Sequence, residues 1–220
     1  MALRWVAVLL VCGVVAEAKR STTTPIPPHL RIRNISLIDF GKRPLNFYIV
    51  ANGKHAKVDN RTALIDGEEI FYRESFPPFS IKHRGDVLLL HDKASSSSEW
   101  TRERPNLIQM LAASGHRTVA VDLPGFGEGK SKGAKPSSAS DFLFSFVRTL
   151  GLQNLTLVAP SSSGSFAIPF VDRFESAIQA LIAVDVCCLK EKTDWEDVKS
   201  KFRRKLIRRT IEQYRIFLCW

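Results

Sequence analysis

A chain of 220 residues with 45% hydrophobic side chains can bury one substantial core and leaves no room for two full domains. Its formal net charge of +10 raises the question of nucleic acid, but no zinc-finger spacing or aromatic RNA-binding motif accompanies the basic residues, so no nucleic-acid partner is expected. Of the four cysteines, Cys12 lies in the leader, and Cys187, Cys188 and Cys219 form an odd set, so neither a disulfide framework nor a metal site is expected.

The start of the chain, residues 1–18, reads as a signal peptide. Arg4 precedes an apolar run from Trp5 to Val15, and Ala16 and Ala18 stand where signal peptidase selects small residues. The rival reading, an uncleaved membrane anchor, needs about 20 apolar residues, more than this run supplies. The mature chain is therefore expected to be secreted or lumenal. Three sequons agree with that route, at Asn34, Asn60 and Asn154, each two residues before a serine or threonine with no proline between. Residues 19–62 form an extension that opens on the linker-like stretch STTTPIPPHL and carries no chemical motif.

Residues 63–188 have the pattern of a folded core. In ALIDGEEIFYRE, Asp66-Gly67 between apolar runs is a hairpin signal. DVLLLHD is a continuous apolar run of strand length, as expected of a strand covered on both faces. Leu107, Met110 and Leu111 at helical spacing predict a helix that Gly115 stops. TVAVDLPGFG is a second buried strand that runs into a turn, and SDFLFSFVRTLG predicts a second helix, begun by Ser140 or Asp141 and stopped by Gly151. NLTLVAP is a third strand, SSSGSFAIPFVDRF its helix and IQALIAVDV a fourth strand. Alternation of this kind builds a parallel α/β sheet with right-handed crossovers. Ligands of such sheets bind at the carboxyl ends of the strands, where Asp92, Asp122, Ser161 and Asp185 emerge. PGFGEGKS is not a phosphate-binding loop, because Pro124 stands where the motif requires its first glycine.

LVAPSSSGSFAIPF places a turn of small residues between a strand and a helix. In a nucleophile elbow the residues two before and two after the serine must be small, because the backbones nearly touch. Around Ser161 they are Ala159 and Ser163; around Ser162 a proline intrudes, and Ser163 lies inside the coming helix. Ser161 is thus the candidate nucleophile, and the N–H of Ser162 at the helix amino terminus is a candidate oxyanion donor. The competing reading of the same residues is a serine-rich helix cap without chemistry.

VLLLHDKASSSSEW, TVAVDLPGFGEG and LVAPSSSGSFAIPF, in this order and spacing, resemble the α/β-hydrolase domain-containing protein 14 family. The matching features are His91 with Trp100, the run Asp122 to Gly127, and Pro160 to Gly164 with Pro169 and Phe170. The resemblance covers about Ala63 to Val186. It implies an α/β-hydrolase-like three-layer sandwich with a mostly parallel sheet, incomplete at the carboxyl-terminal end. It also implies a serine hydrolase or acyl-transfer site that acts on a small acyl-ester or acetylated substrate without a cofactor. In that reading Ser161 is the nucleophile, and the N–H groups of Lys93 and Ser162 form the oxyanion hole.

Two departures from the family pattern bear on activity. Asp92 replaces the glycine that follows the histidine, which puts an anion beside the proposed hole. All five histidines, His29, His55, His83, His91 and His116, precede Ser161, whereas the family carries its base near the carboxyl terminus. Asp185 is a candidate acid with no histidine to orient. In place of the later strands stands a tail over 189–220, with ten Lys or Arg against five Asp or Glu from Lys190 onward. There Trp195, Val198, Phe202, Leu206, Ile211, Tyr214 and Leu218 recur at steps that predict a basic amphipathic helix, fit to lie on a membrane surface or to cover the bare sheet edge. Two functions follow as expectations: a serine hydrolase impaired by the missing base, or a catalytically silent binding or membrane-associating isoform on the same scaffold.

Overall fold

The computed structural model describes residues 47–102, 105–127, 138–184 and 186, with the backbone of 206–207 and 216–219. The expectations for the leader, Asn34, Asp185, Cys187, Cys188 and most of the tail fall outside these residues. Helix α1 (Phe47–Gly53) leads into the hairpin β1 (Asp59–Ile65) and β2 (Glu68–Ser75). Then β3 (Gly85–Leu89), α2 (Leu107–Ala113), β4 (His116–Val121), α3 (Ala139–Thr149), β5 (Leu155–Pro160), α4 (Gly164–Arg173) and β6 (Ile178–Val184) alternate as the sequence predicts. Two further strands, β7 (Leu206–Ile207) and β8 (Ile216–Cys219), complete the described elements.

The strands form one 8-stranded sheet in the order β1-β2-β4-β3-β5-β6-β8-β7. The pairs β3–β4, β3–β5 and β5–β6 are parallel, and β1–β2, β2–β4, β6–β8 and β7–β8 antiparallel. Six strands therefore point one way, and only β2 and β8 oppose them. Successive side chains of a strand face opposite sides, and the core divides accordingly. Leu88, Val119, Val121, Leu157 and Leu181 pack under α3 and α4 with Phe142, Phe146 and Phe170. Val87, Leu89, Ala120, Val158 and Ile182 pack under α2 with Leu107, Met110 and Trp100. Helices on both faces make the three-layer sandwich.

Local signals set the boundaries. Asp66 and Gly67 both take positive φ, 50° and 87°, as the tight hairpin turn requires. Asn106 caps α2 through a reciprocal pair with Gln109. The cap of α3 is Ser138, whose hydroxyl accepts from the Asp141 N–H, so the helix starts earlier than the expected Ser140 or Asp141.

Two expected boundaries shift. The folded unit reaches below residue 63: α1 packs on the α2 side of the sheet through Ile49, and β1 begins at Asp59. The sequence hides this because β1 is an edge strand whose first residues, Asp59 to Thr62, are polar and face water at least in part. The helical expectation for the tail does not hold at its described residues. Ile216–Cys219 pair antiparallel with β6, Leu218 opposite Ile182, and Leu206–Ile207 pair with β8. Ile, Phe, Leu and Cys in succession suit a strand as well as a helix face, and the open backbone edge of β6 offers them partners. The tail thus covers the sheet edge, but with strands at these positions.

Candidate functional site

At the carboxyl ends of the central strands, β3 runs into His91, Asp92 and Lys93, β4 into Asp122 and Leu123, and β5 into Ser161. Ser161 has φ 45°, in the left-handed region that residues with a Cβ enter at a cost. Pro160 before it is extended and Gly164 after it helical, so strand becomes helix through a single 3-10 turn, Ser161–Ser163. The small neighbours have physical reasons. Ser163 is fully buried, and its hydroxyl donates to the Pro160 carbonyl at 2.5 Å. A Cβ on Gly164 would lie 2.0 Å from Cγ1 of Val186, so a larger residue there would force Val186 or the helix start to shift.

His91 is fully buried and committed at both ring nitrogens. Its Nε2 accepts from the Leu123 N–H at 2.8 Å, which leaves the proton on Nδ1 to donate to the Asp92 carbonyl at 2.7 Å. Burial holds its pKa below the ordinary histidine value, only partly opposed by that carbonyl bond and the nearby carboxylates of Asp122, Glu99 and Asp92. The ring therefore stays neutral and ties the β3 loop to the β4 loop. It has no nitrogen left to take a proton from Ser161.

Asp122 is a structural carboxylate of the same kind. It is fully buried, accepts from the Ser97 N–H at 2.7 Å and lies 4.0 Å from Arg73, which also bonds the Ser97 hydroxyl. Gly127 packs against it, since a Cβ there would stand 2.6 Å from the carboxylate. The motif from Asp122 to Gly127 thus secures the loop that follows His91.

The surroundings of Asp92 are the least anticipated part of the site. Its Oδ1 accepts from the Ser162 hydroxyl at 2.7 Å and the Ala94 N–H at 3.3 Å. Burial alone would raise its pKa, but hydrogen bonds from the hydroxyls of Ser161 and Ser162 and the N–H groups of Ala94 and Lys93 outweigh this and hold it below the usual carboxylate value. The N–H of Lys93 donates to Ser162 Oγ at 2.9 Å. The Lys93 ammonium turns instead over the Phe126 ring, 5.7 Å from its centroid. The structure thus brings together Ser161, Ser162, Asp92 and Lys93, with the Ser162 hydroxyl bridging Asp92 and Lys93. Asp92 in place of glycine was the sequence signal for this bridge.

His29 falls outside the described residues, and the other described histidines stand away from the elbow. Gly85 pairs with His116 at the amino-terminal ends of β3 and β4, and His83 bonds Asp86 at 2.8 Å on that same side. His55 follows α1. Asn60 and Asn154 are both exposed. Among the described residues no group of three or more His, Cys, Asp or Glu can hold a metal, and no helix is long and apolar enough to cross a membrane.

A mostly parallel sheet covered on both faces, with a left-handed serine at the end of β5, defines the class of α/β hydrolases. The family model described as alpha/beta hydrolase fold matches residues 87–210. A solved CIB-like hydrolase from Thermoplasma acidophilum shares the fold, with a TM-score of 0.55 at 19% identity over 70% of this chain and 72% of that one. ABHD14A of Rattus norvegicus is 42% identical over 122 residues, 54% of this chain and 49% of the relative. ABHD14B of the same organism is 33% identical over 152 residues, 66% of this chain and 71% of the relative. The chain belongs to the ABHD14 family of α/β hydrolases. It spans about half the length of the rat ABHD14A that it matches.

Proposed function

We propose that the chain carries the nucleophile seat of a serine acyl hydrolase or acyl-transfer enzyme, and that as written it turns over acyl substrates poorly or not at all. The observation that carries the first half is the φ of 45° at Ser161, at a strand-to-helix turn in which Ser163 is buried and a Cβ on Gly164 would collide with the Val186 side chain. A strained serine in that setting is what presenting a hydroxyl above the sheet requires. The substrate class is a small acyl ester or an acetylated amine. The name of rat ABHD14B, which proposes protein-lysine deacylation, supports the latter.

The second half rests on the base. A serine hydroxyl is a weak nucleophile near neutral pH and needs a positioned group to take its proton. His91, the histidine closest along the fold, has both nitrogens engaged, and His83 and His116 stand at the opposite end of the sheet. The Asp92 carboxylate accepts from Ser161, but its lowered pKa makes it a feeble base. A silent binding scaffold is the second reading, favoured by the same carboxylate.

The test compares the purified chain with Ser161→Ala on an activated acetyl ester. We expect the two to hydrolyse it alike, and a family carboxyl-terminal segment grafted after Val186 to restore a difference that depends on Ser161. Fast turnover by the unmodified chain, lost in Ser161→Ala, would reveal a base within it and overturn the impairment. A graft that stays inert would count against Ser161 as the nucleophile.

A further inference from the structure

An oxyanion hole works because its N–H donors point at empty space until charge develops there. Around Ser161 that space is already answered. The Lys93 N–H donates to Ser162 Oγ at 2.9 Å, and that hydroxyl donates onward to Asp92 Oδ1 at 2.7 Å. A carboxylate that also accepts from the Ser161 hydroxyl and the Ala94 N–H stands where a substrate oxygen would seek its donors. The chain from backbone N–H through hydroxyl to carboxylate is continuous, and each donor in it has an acceptor.

We propose that Asp92 is an internal occupant of the oxyanion hole: its carboxylate, relayed through the Ser162 hydroxyl, takes up the Lys93 N–H and excludes tetrahedral anions from the elbow. The inference rests on the reading of Ser161 as an elbow nucleophile and adds what shuts that elbow. It makes Asp92 the residue that decides which ligands enter. While the carboxylate is in place the mouth of the site accepts hydrogen-bond donors and rejects developing negative charge. With glycine there, the Ser162 hydroxyl, still polarised by the Lys93 N–H that donates to it, loses its acceptor and can donate to the ligand instead. The imidazole of His91 is not disturbed, because it contacts Asp92 through the main-chain carbonyl, which every substitution preserves.

The probe is a fluorophosphonate, whose reaction at Ser161 forms an oxygen–phosphorus bond as the phosphorus–fluorine bond breaks. Fluoride leaves, and the hydroxyl proton passes to solvent. The full chain is compared with Asp92→Gly, which removes charge and bulk, with Asp92→Asn, which removes charge alone, and with Asp92→Gly combined with Ser161→Ala. A single oxyanion donor is worth about 10²-fold to 10³-fold in a working site. We expect Asp92→Gly to label at least about tenfold faster than the unmodified chain, with Asp92→Asn between them. Labelling no faster in Asp92→Gly, including none in either protein, overturns the proposal if the variant melts as a folded protein. If it does not fold, Asp92→Asn decides on the same criterion. Undiminished labelling of the double variant would instead show that the phosphonyl group goes elsewhere, and would remove the reading of Ser161 itself.

Discussion

Replacement of Ser161 by glycine and by alanine separates the backbone of the elbow from its hydroxyl. Both variants lose the same bond to Asp92, so that contribution cancels in the difference between them. At φ 45° an alanine Cβ still meets the following carbonyl, a penalty of roughly 1–2 kcal/mol that glycine escapes. Glycine in turn loses more chain entropy on folding, about 0.4–1 kcal/mol relative to alanine. Taken at their midpoints, the two terms leave Ser161→Gly more stable than Ser161→Ala by about 0.8 kcal/mol. At about 2–4 °C per kcal/mol for a domain of this size, the melting temperatures should differ by about 2–3 °C. Urea unfolding of both variants, with equal slopes and shifted midpoints, measures it directly. An alanine variant as stable as the glycine variant, or more so, would mean that the turn is unstrained and that the strand-to-helix reversal carries no signature of a nucleophile seat.

The buried imidazole gives a pH dependence of definite sign. His91 has its pKa depressed in the folded chain, so below the ordinary value of 6.5 the unfolded state binds a proton that the folded state refuses, and stability falls as pH drops through that window. Unfolding midpoints between about pH 6.5 and 5 should decline less steeply in His91→Gln than in the unmodified chain, and equal slopes would contradict the assigned neutral ring. Asp122→Ala should cost about 2–3 kcal/mol by urea unfolding, because it leaves the buried Ser97 N–H without its acceptor and Arg73 without its carboxylate, whereas Asp122→Asn keeps an acceptor oxygen and should cost less.

The layered sheet was legible because its strands are bounded apolar runs and its helices carry period-3.6 stripes closed by caps and stops. Gly115 and Gly151 sit at positive φ, 99° and 62°, where the predicted helices end. The elbow was legible from side-chain size alone, Ala159 and Ser163 flanking Ser161. What escaped were features decided by neighbours far along the chain. The polar start of β1 shows its purpose only against β2, and the tail strand Ile216–Cys219 only against the edge of β6. The role of Ser162 was hidden for the same reason: its partners Asp92 and Lys93 lie about 70 residues earlier, and only the approach of β3 to β5 places them within a hydrogen bond.

That separation bears on how an elbow should be interpreted. The strained turn is held by groups that take no part in proton transfer: the Ser163 hydroxyl on the Pro160 carbonyl, the close contact of Gly164 with Val186, and the buried aliphatic face of α4. None of them depends on a catalytic base. The geometry of Ser161 therefore does not require a catalytic base to hold it. Because strain of about 1–2 kcal/mol is small beside the burial of Phe166, Ile168, Phe170 and Val171, packing alone can keep the turn in place. An intact elbow is thus a statement about how β5 and α4 pack, and turnover needs in addition a base that reaches the serine.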